Sequence, residues 1–316
     1  MQRVNVLLAG QMPQDEMAVW RKALAAAMPE ADWLDAAAAR QHDAQPRVAV
    51  VANPPPGALA AWPQLEFVQS LWAGVDRLLT DTSVPAHVPI ARMVDPAMTA
   101  AMAETALWAT LSLHRGFVDY QQRQREGVWR QHAQRRADEV RVLILGLGEM
   151  GQAVARGLLQ QGYAVQGWRL HERAPIVRVD VHAGEAALWP LLRQTEIVIN
   201  LLPLTPNTHG LLDQRFFAAM PAGAAIVNLA RGAHVVDEAL LQALDSGHLR
   251  HAVLDVFHAE PLPPGHRYWQ HPTVTLLPHA AALTDERSAA AVVARNLRAF
   301  RDGQPLAHLV DRKRGY

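Results

Sequence analysis

The chain carries a cation, a carboxylate and an imidazole, each just after a short apolar run: Arg231 in VNLARGAHVVDE, Glu260 in LDVFHAEPLPP and His279 in VTLLPHAAALT. Ligands of open α/β sheets bind at the carboxyl ends of the strands, so we expect these side chains to meet at one sheet edge. Reduction of a carbonyl adds hydride to carbon and a proton to oxygen, and histidine is the usual proton donor. A carboxylate would orient the imidazole and raise its pKa. A guanidinium would bind the carboxylate of a 2-oxo acid and polarise its ketone.

The stretch VRVLILGLGEMG at residues 140–151 is typical of a dinucleotide-binding turn. An apolar run breaks at Gly146, Gly148 and Gly151 and then continues into the helix-forming segment QAVARGLLQ. The first glycine permits the tight turn, the second lets the backbone approach a pyrophosphate, and the third lets the helix pack on the strand. The free N–H groups and the dipole at the helix start attract the anion. This pattern predicts a bound dinucleotide cofactor.

Each member of the Arg231, Glu260 and His279 set also has a plainer explanation. Most of the fifteen histidines must be surface or packing residues, a glutamate before proline is common in turns, and an arginine before glycine can cap a strand end. The joint placement at three successive strand ends, downstream of a dinucleotide turn, favours catalysis.

The second strand of the dinucleotide unit indicates which cofactor is bound. NAD-binding folds place an acidic residue at its end to bond the ribose hydroxyls. Here the strand ends in Gly167, Trp168 and Arg169, and the next carboxylate is Glu172. A carboxylate repels a 2′-phosphate, whereas a guanidinium binds it through paired hydrogen bonds, so NADP(H) is favoured and NAD(H) is the weaker alternative. Arg173 is a second phosphate candidate, and the plainer alternative makes Arg169 a solvated surface residue.

The hydrophobic pattern predicts two α/β domains with a cleft between them, Rossmann-like or flavodoxin-like, since 316 residues exceed one ordinary domain. We expect a substrate domain from residues 1–96 and 284–316 and an NADP-binding Rossmann domain from residues 97–283. The predicted strands of the first domain are 4–8, 47–51, 65–70 and 89–93. Those of the second domain are nearly continuous apolar runs, typical of a parallel sheet covered on both faces: 140–145, 163–168, 196–201, 224–229, 251–255 and 273–277.

Three helices are predicted with defined ends. One spans 18–28 and is closed by Pro29. A second runs unbroken from Pro96 to about Glu126, a length suited to bridging two domains and to dimer contact. The third spans 284–300, with Thr284 as its N-cap, and returns to the first domain.

The composition excludes several classes of protein. Thirty basic residues balance thirty acidic ones, which argues against a nucleic-acid partner. The chain has no cysteine, so disulfides and thiolate-bound metals are excluded, and we expect no metal site. The first apolar run is too short for a signal peptide, and no run reaches the length of a membrane span. We therefore expect a cytoplasmic enzyme with small-molecule partners.

The segments GLGEMG, NLARG, LDVFHAEPLP and PHAAALT, in this order, resemble the D-2-hydroxyacid dehydrogenase family over nearly the whole chain. Residues 70–79 (SLWAGVDRLL), residues 114–129 (HRGFVDYQQRQREGVW) and Arg169 are similar to its glyoxylate/hydroxypyruvate reductase branch. The resemblance implies a homodimer whose central NADPH domain carries the dimer contact.

The resemblance also implies roles for individual residues. His279 would be the proton donor, Glu260 its partner and Arg231 the substrate clamp. The backbone at Ala73 and Gly74 would hold the substrate carboxylate, beside a pocket wall formed by Trp72. Asp255 would meet the nicotinamide carboxamide. The remaining predicted cofactor contacts are Gly146, Gly148, Glu149, Met150, Gly151, Trp168, Arg169, Leu202, Pro203, Leu229 and Ala230. His258 departs from the family pattern, in which many members carry an acidic or polar residue.

These inferences predict an enzyme that reduces glyoxylate to glycolate or hydroxypyruvate to glycerate with NADPH. Two alternatives remain at this stage. One is a reductase for a bulkier 2-oxo acid such as phenylpyruvate. The other is an NADP(H)-sensing binding protein without catalysis, although a sensor has no need of a proton donor.

Overall fold

The computed structural model describes residues 3–316, and the chain divides into two compact units. The first unit contains the chain up to Met98 together with Thr284–Tyr316, and the second unit is Thr99–Leu283. The predicted division lay after residue 96, two residues before this one. Each unit is built around one parallel sheet, which confirms the predicted fold class of two α/β domains.

The first unit has a five-stranded parallel sheet in the order β2-β1-β3-β4-β5, the flavodoxin-like arrangement. Strand β3 at the centre of this sheet and β4 beside it are buried along their whole length. The strands are β1 (Val4–Gly10), β2 (Ala31–Leu34), β3 (Val48–Ala52), β4 (Phe67–Ser70) and β5 (Ile90–Ala91). The helices are α1 (Gln14–Ala27), α2 (Ala36–Gln41) and α3 (Asp76–Thr80).

The second unit has a seven-stranded parallel sheet in the order β12-β11-β10-β9-β6-β7-β8. The strand order reverses at β6, between β7 and β9, which is where doubly wound folds bind nucleotides. The strands are β6 (Arg141–Leu145), β7 (Ala164–Arg169), β8 (Asp180–Ala183), β9 (Ile197–Asn200), β10 (Ala224–Asn228), β11 (Leu249–Leu254) and β12 (Val274–Leu276). The helices are α4 (Pro96–His114), which begins at the end of the first unit, α5 (Phe117–Glu126), α6 (Glu149–Gln160), α7 (Glu185–Leu192), α8 (Gln214–Ala219) and α9 (Asp237–Asp245).

Both faces of the second sheet are covered, as its apolar strands predict. Along β6, Leu143 and Leu145 belong to one hydrophobic cluster, while Val142 and Ile144 belong to the cluster on the other face. Successive side chains of a strand point to opposite faces, so a strand buried on both sides must be apolar throughout.

The predicted single helix from Pro96 to Glu126 is wrong. The structure has two helices, α4 and α5, separated at Arg115–Gly116. Gly116 adopts a left-handed conformation with φ of +64°, which ends a helix, and a Cβ atom there would lie 2.3 Å from Cε1 of His132.

The N-cap predicted for the last helix is also wrong by one residue. Helix α10 (Glu286–Arg301) is capped by Asp285, whose carboxylate accepts a hydrogen bond from the backbone N–H of Arg287 at 2.9 Å. Thr284 instead directs its hydroxyl to the sulfur of Met98 at 3.5 Å.

Strands β2 and β8 are absent from the sequence prediction. Both lie at an edge of their sheet and are four residues long; buried and partly buried side chains alternate along β2, and no side chain of β8 is fully buried. An edge strand need not be apolar throughout, so neither strand produces the hydrophobic run by which the others are recognised.

Candidate active site

The predicted catalytic side chains follow three strands that are neighbours in the second sheet. Arg231 follows β10, Glu260 follows β11 and His279 follows β12, and the sheet order is β12-β11-β10. All three strands are parallel, so their carboxyl ends lie at the same edge. This edge is where open α/β sheets bind ligands.

His279 and Glu260 form a close pair. Nδ1 of His279 lies 2.7 Å from Oε2 of Glu260. The other oxygen, Oε1, accepts a hydrogen bond from the backbone N–H of Phe257 at 2.9 Å, which fixes the orientation of the carboxylate. The imidazole is about half exposed, with 53% of its side-chain surface accessible, so its far side can meet a ligand.

The pair shifts the pKa of both partners. Donation from Nδ1–H of His279 to the Glu260 carboxylate raises the pKa of His279 above its ordinary value, against the opposing effect of burial. Burial acts to raise the pKa of Glu260, but the hydrogen bonds from His279 and the Phe257 N–H outweigh it and leave the pKa lowered. A larger fraction of the imidazole is therefore protonated near neutral pH than in an unpaired histidine, and the carboxylate beside it is ionised.

Arg231 is close enough to act electrostatically on both partners. Its positive charge contributes to the lowered pKa of Glu260 and opposes the raised pKa of His279. Nη1 of Arg231 donates to the carbonyl oxygen of Ala230 at 2.7 Å. The charge of Arg231 thus acts on both Glu260 and His279.

Asp255 holds the loop that carries His279. Its backbone oxygen accepts the N–H of His279 at 2.9 Å, and Oδ1 accepts the N–H groups of Ala280 at 2.7 Å and Ala281 at 3.1 Å. These bonds support a left-handed backbone at His279, with φ of +54°. Burial raises the pKa of the Asp255 carboxyl, and the two amide bonds oppose that rise. This loop-supporting role was not part of the sequence prediction, which gave Asp255 only a nicotinamide contact.

His258 joins the loop of Glu260 to the loop of Arg231. Its Nε2 lies 2.7 Å from the carbonyl oxygen of Val235 and 3.7 Å from Oδ1 of Asp237. The same two loops also meet at Gly232, where a Cβ atom would lie 2.0 Å from the backbone carbon of Phe257. The departure from the family pattern at His258 thus adds a contact between the loops.

The glycine turn has the shape of a dinucleotide cradle. A Cβ atom at Gly146 would lie 2.6 Å from the backbone oxygen of Leu201, and one at Gly151 would lie 1.9 Å from that of Gly146. At Gly148 a Cβ atom would meet nothing within 4 Å. Two glycines are therefore required by the packing of the chain itself, whereas the exposed middle one leaves open space where a pyrophosphate fits. Glu149 and Met150 open α6, and no side chain of the described residues caps this helix start.

Arg169 ends β7, where the sequence predicts a 2′-phosphate contact. Its guanidinium donates to the backbone oxygens of Arg173 and Ala174, and its Nε is buried without a hydrogen-bond partner among residues 3–316. Trp168 is different, because its side chain is 2% exposed, packs in the core and donates from Nε1 to the oxygen of Gly184 at 2.8 Å. The Trp168 side chain therefore belongs to the core, and a cofactor contact at this residue stays a prediction for its backbone.

The other predicted cofactor residues lie on the loops after β9 and β10. Leu202 is buried, Pro203 is half-buried, and Leu229 and Ala230 are buried. Three polar side chains beneath these loops were not predicted from the sequence, and all three are fully buried: Asn200, Asn228 and His234. The signal available was a polar residue at the end of two apolar strands, IVIN and AAIVN.

Trp72, Ala73 and Gly74 lie in the first unit, on the segment between β4 and α3, and all three are partly exposed. The ring of Trp72 packs edge-on against the buried ring of Trp20, with centroids 5.9 Å apart. Their contacts with substrate stay a prediction.

Residues 107–281 match the family described as D-isomer specific 2-hydroxyacid dehydrogenase, NAD binding domain. The glyoxylate/hydroxypyruvate reductase A of Serratia proteamaculans is 41% identical over 275 residues, covering 85% of this chain and 87% of that relative. The chain belongs to this family. The family's name gives the type of reaction, the dehydrogenation of a 2-hydroxy acid. Arg231, Glu260, His279 and the glycine turn all lie within the matched residues.

Two solved structures extend the likeness to the whole chain. A D-isomer specific 2-hydroxyacid dehydrogenase from Xanthobacter autotrophicus, in complex with NADPH and MES, has a TM-score of 0.92 at 38% identity and covers 100% of both chains. An NADPH-dependent glyoxylate/hydroxypyruvate reductase from Sinorhizobium meliloti, in complex with NADP and sulfate, has a TM-score of 0.91 at 34% identity and covers 99% of this chain and 100% of that one.

Within residues 3–316 of this dehydrogenase, no helix is both long and apolar enough to cross a membrane.

Proposed function

We propose that this dehydrogenase reduces the small 2-oxo acids glyoxylate and hydroxypyruvate to glycolate and glycerate, with NADPH as the reductant. The observation that carries the proposal is the 2.7 Å pair of His279 and Glu260, placed beside Arg231 at the carboxyl edge of a sheet that also ends in a dinucleotide turn. Similarity supports the substrate class, because the relatives named above are reductases of these two acids.

His279 supplies the proton in this proposal. Its Nδ1 is engaged by Glu260, and no hydrogen bond joins its Nε2 to any of the residues that the structure describes. Nε2–H is therefore the group that can donate to the carbonyl oxygen as it becomes an alkoxide. Glu260 keeps the ring oriented and favours its protonated form, as the raised pKa of His279 indicates.

Arg231 binds the substrate in this proposal. A guanidinium presents a planar set of donors that matches a carboxylate, and its charge also polarises a neighbouring ketone. Placing the acid and the clamp after β12 and β10, two strands of one sheet on either side of β11, fixes the ketone oxygen relative to Nε2 of His279, which lowers the entropic part of the barrier.

The turn between β6 and α6 and the end of β7 fit NADPH, a dinucleotide with a 2′-phosphate, which supplies a hydride when bound. The open space at Gly148 and the uncapped start of α6 suit a pyrophosphate. Arg169 stands at the end of β7, where NAD-specific folds have a carboxylate, and its buried Nε has no hydrogen-bond partner in the part of the chain that the structure describes. Rotation of this guanidinium toward a 2′-phosphate would give Nε an acceptor.

The test is an assay of the purified protein with NADPH and three acids: glyoxylate, hydroxypyruvate and the bulkier phenylpyruvate. We expect oxidation of NADPH with the two small acids and a much lower kcat/KM with phenylpyruvate. Preference for phenylpyruvate would replace the proposed substrate class, and no turnover with any 2-oxo acid would remove the proposed reaction.

Replacement of the proton donor tests the mechanism separately. His279→Gln retains a hydrogen-bonding side chain but cannot carry a proton, so kcat should fall by about 10²–10⁴-fold. The binding of NADPH, followed by its fluorescence, should stay close to that of the unaltered protein. A variant that keeps nearly normal turnover would show that His279 is not the acid.

A further inference from the structure

Three fully buried polar side chains lie beneath the loops after β9 and β10. Asn200 ends β9, Asn228 ends β10, and His234 closes a short 3-10 helix, Gly232–His234. Burying a polar group is costly unless it is hydrogen-bonded, so the partners of these side chains indicate what they stabilise.

The two asparagines connect the strand ends and hold the loop that follows each strand. Nδ2 of Asn200 donates to Oδ1 of Asn228 at 3.0 Å. Oδ1 of Asn200 accepts the backbone N–H of Leu202 at 3.2 Å. Oδ1 of Asn228 accepts the N–H of Ala230 at 3.2 Å, and its Nδ2 donates to the backbone oxygen of Arg231 at 3.0 Å. One amide pair thus reaches both loops.

His234 makes a second connection between the same loops. Its Nδ1 lies 3.1 Å from the backbone oxygen of Arg231, and its Nε2 lies 3.3 Å from that of Pro203. Either nitrogen can donate, depending on the tautomer. The carbonyl of Arg231 is therefore met from two sides, by Asn228 and by His234.

We infer that Asn200, Asn228 and His234 are positioning residues that fix the loop of Arg231 relative to the Leu202–Pro203 loop. The inference rests on the proposed function, in which the first loop binds the 2-oxo acid and the second lines the cofactor. The position of the Arg231 backbone sets where its long side chain can place the guanidinium. A misplacement of about 1 Å can lower the rate about 10²-fold.

The matched variants Asn228→Ala and Asn200→Ala test this role, because each removes one half of the same buried pair. Asn228→Ala removes one of the two side-chain contacts to the carbonyl of Arg231 and the acceptor for the N–H of Ala230, so we expect the KM for glyoxylate to rise about tenfold or more, with the Kd for NADPH within about twofold. Asn200→Ala frees the N–H of Leu202, so we expect the Kd for NADPH to rise more than the KM for glyoxylate. His234→Phe retains a buried ring but loses the ring N–H that donates to the carbonyl of Arg231 or of Pro203, and both constants should rise.

Thermal unfolding of each variant separates a general loss of stability from misplacement. If Asn228→Ala does not fold, Asn228→Asp takes its place, because it keeps an oxygen for Asn200 and Ala230 and lacks the amide that bonds Arg231. Equal changes of both constants in Asn200→Ala and Asn228→Ala, or a lower Tm with unchanged constants, would overturn the inference.

Amide hydrogen exchange gives a readout that does not depend on turnover. We expect faster exchange across residues 229–236 in Asn228→Ala and His234→Phe, and across residues 201–204 in Asn200→Ala and His234→Phe. If the unaltered protein reduces no 2-oxo acid, the proposed function fails, while the exchange pattern still decides whether these side chains hold the loops. Unchanged exchange in all three variants would refute that role.

Discussion

At the scale of single residues, the pairing of Glu260 with His279 sets the charge of the imidazole. The hydrogen bond that His279 donates to the carboxylate raises the pKa of His279, so the protonated form persists to a higher pH than in an unpaired histidine. In the reductive direction the protonated imidazole is the active form. The rate should therefore be highest at lower pH and fall as pH increases through the raised pKa.

Glu260→Gln tests this relation, because glutamine can still accept a hydrogen bond but carries no charge. We expect the pKa of His279 to fall, so the alkaline limb of kcat/KM against pH moves to lower pH. Glu185→Gln, which changes an exposed carboxylate at the start of α7, is the control. An unmoved limb in Glu260→Gln would mean that Glu260 does not tune the acid.

The stability of the pair depends on pH in two opposite ways. The lowered pKa of Glu260 stabilises the folded chain above the ordinary carboxyl range, and this is lost as pH falls through the lowered pKa. The raised pKa of His279 stabilises it below the ordinary imidazole range, and this is lost as pH rises through the raised pKa. The ion pair contributes fully only in the interval between these losses.

Arg169 determines the choice of cofactor in our proposal. Arg169→Asp replaces a phosphate-binding cation with a carboxylate that suits ribose hydroxyls and repels a 2′-phosphate. The ratio of kcat/KM for NADPH to that for NADH should fall by about tenfold to a hundredfold. Arg156→Asp makes the same charge change on the exposed face of α6 and should leave the ratio unaltered. Equal ratios in both variants would contradict the role of Arg169.

The functional residues that could be predicted from the sequence are charged or titratable side chains that directly follow an apolar strand. Arg231, Glu260 and His279 stand directly after apolar runs, so alternation of strands and loops already brings them to one sheet edge. Asn200 and Asn228 also end apolar runs, but the sequence does not show what they bond, because the direction of a strand-end amide depends on side-chain packing. The same holds for the partners of the buried imidazole of His234. Trp168 shows that position along the strand does not give the direction of a side chain, since it ends β7 beside Arg169 but packs in the core.

At the scale of elements, the turn between β6 and α6 separates glycines needed for folding from one needed for the ligand. Gly148→Ala adds a Cβ atom that meets nothing within 4 Å, so the Tm should hardly change while the Kd for NADPH rises. Gly151→Ala places a Cβ atom 1.9 Å from the oxygen of Gly146, so the Tm should fall. Thermal unfolding and NADPH fluorescence measure both effects. A Tm lowered equally by both variants would contradict this division.

The elements predicted best are the buried strands, since burial on both faces leaves a continuous apolar run. Element ends are predicted less well. The break between α4 and α5 occurs at Gly116, and a lone glycine within a helical pattern does not show from sequence whether it will adopt a left-handed conformation. The cap at Asp285 rather than Thr284 is a choice between adjacent good N-cap residues, which packing decides.

At the scale of the whole molecule, several exposed apolar side chains favour the homodimer that the family resemblance implies. They lie on α4, on α5 and just after α5, and Trp129 is 97% exposed. The others are Trp108, Phe117 and Val128. Large aromatic side chains in water are typical of surfaces that bind another protein.

Trp129→Lys tests this expectation. We expect the unaltered protein to sediment as a dimer and the variant to shift toward the monomer, because a cation replaces an apolar contact. Val177→Lys, at a side chain that is 84% exposed outside this surface, is the control. A monomeric unaltered protein would rule out the dimer, and a dimer that persists in Trp129→Lys would place its contact elsewhere.

The first unit is discontinuous in the chain, and this affects the order in which the protein can assemble during translation. Strands β1 to β5 leave the ribosome early, but α10 is made after the entire second unit. Phe300 on α10 stacks on the buried Phe67 of β4 with ring centroids 5.7 Å apart, and Arg298 bonds Glu30 at 2.7 Å and the oxygen of Ala27 at 2.8 Å, so these parts of the first unit stay uncovered until α10 has been made. The nascent chain must therefore carry exposed apolar surface for some 185 codons, the length of Thr99–Leu283, and chaperone demand during synthesis should fall in a circular permutant that begins near Thr284.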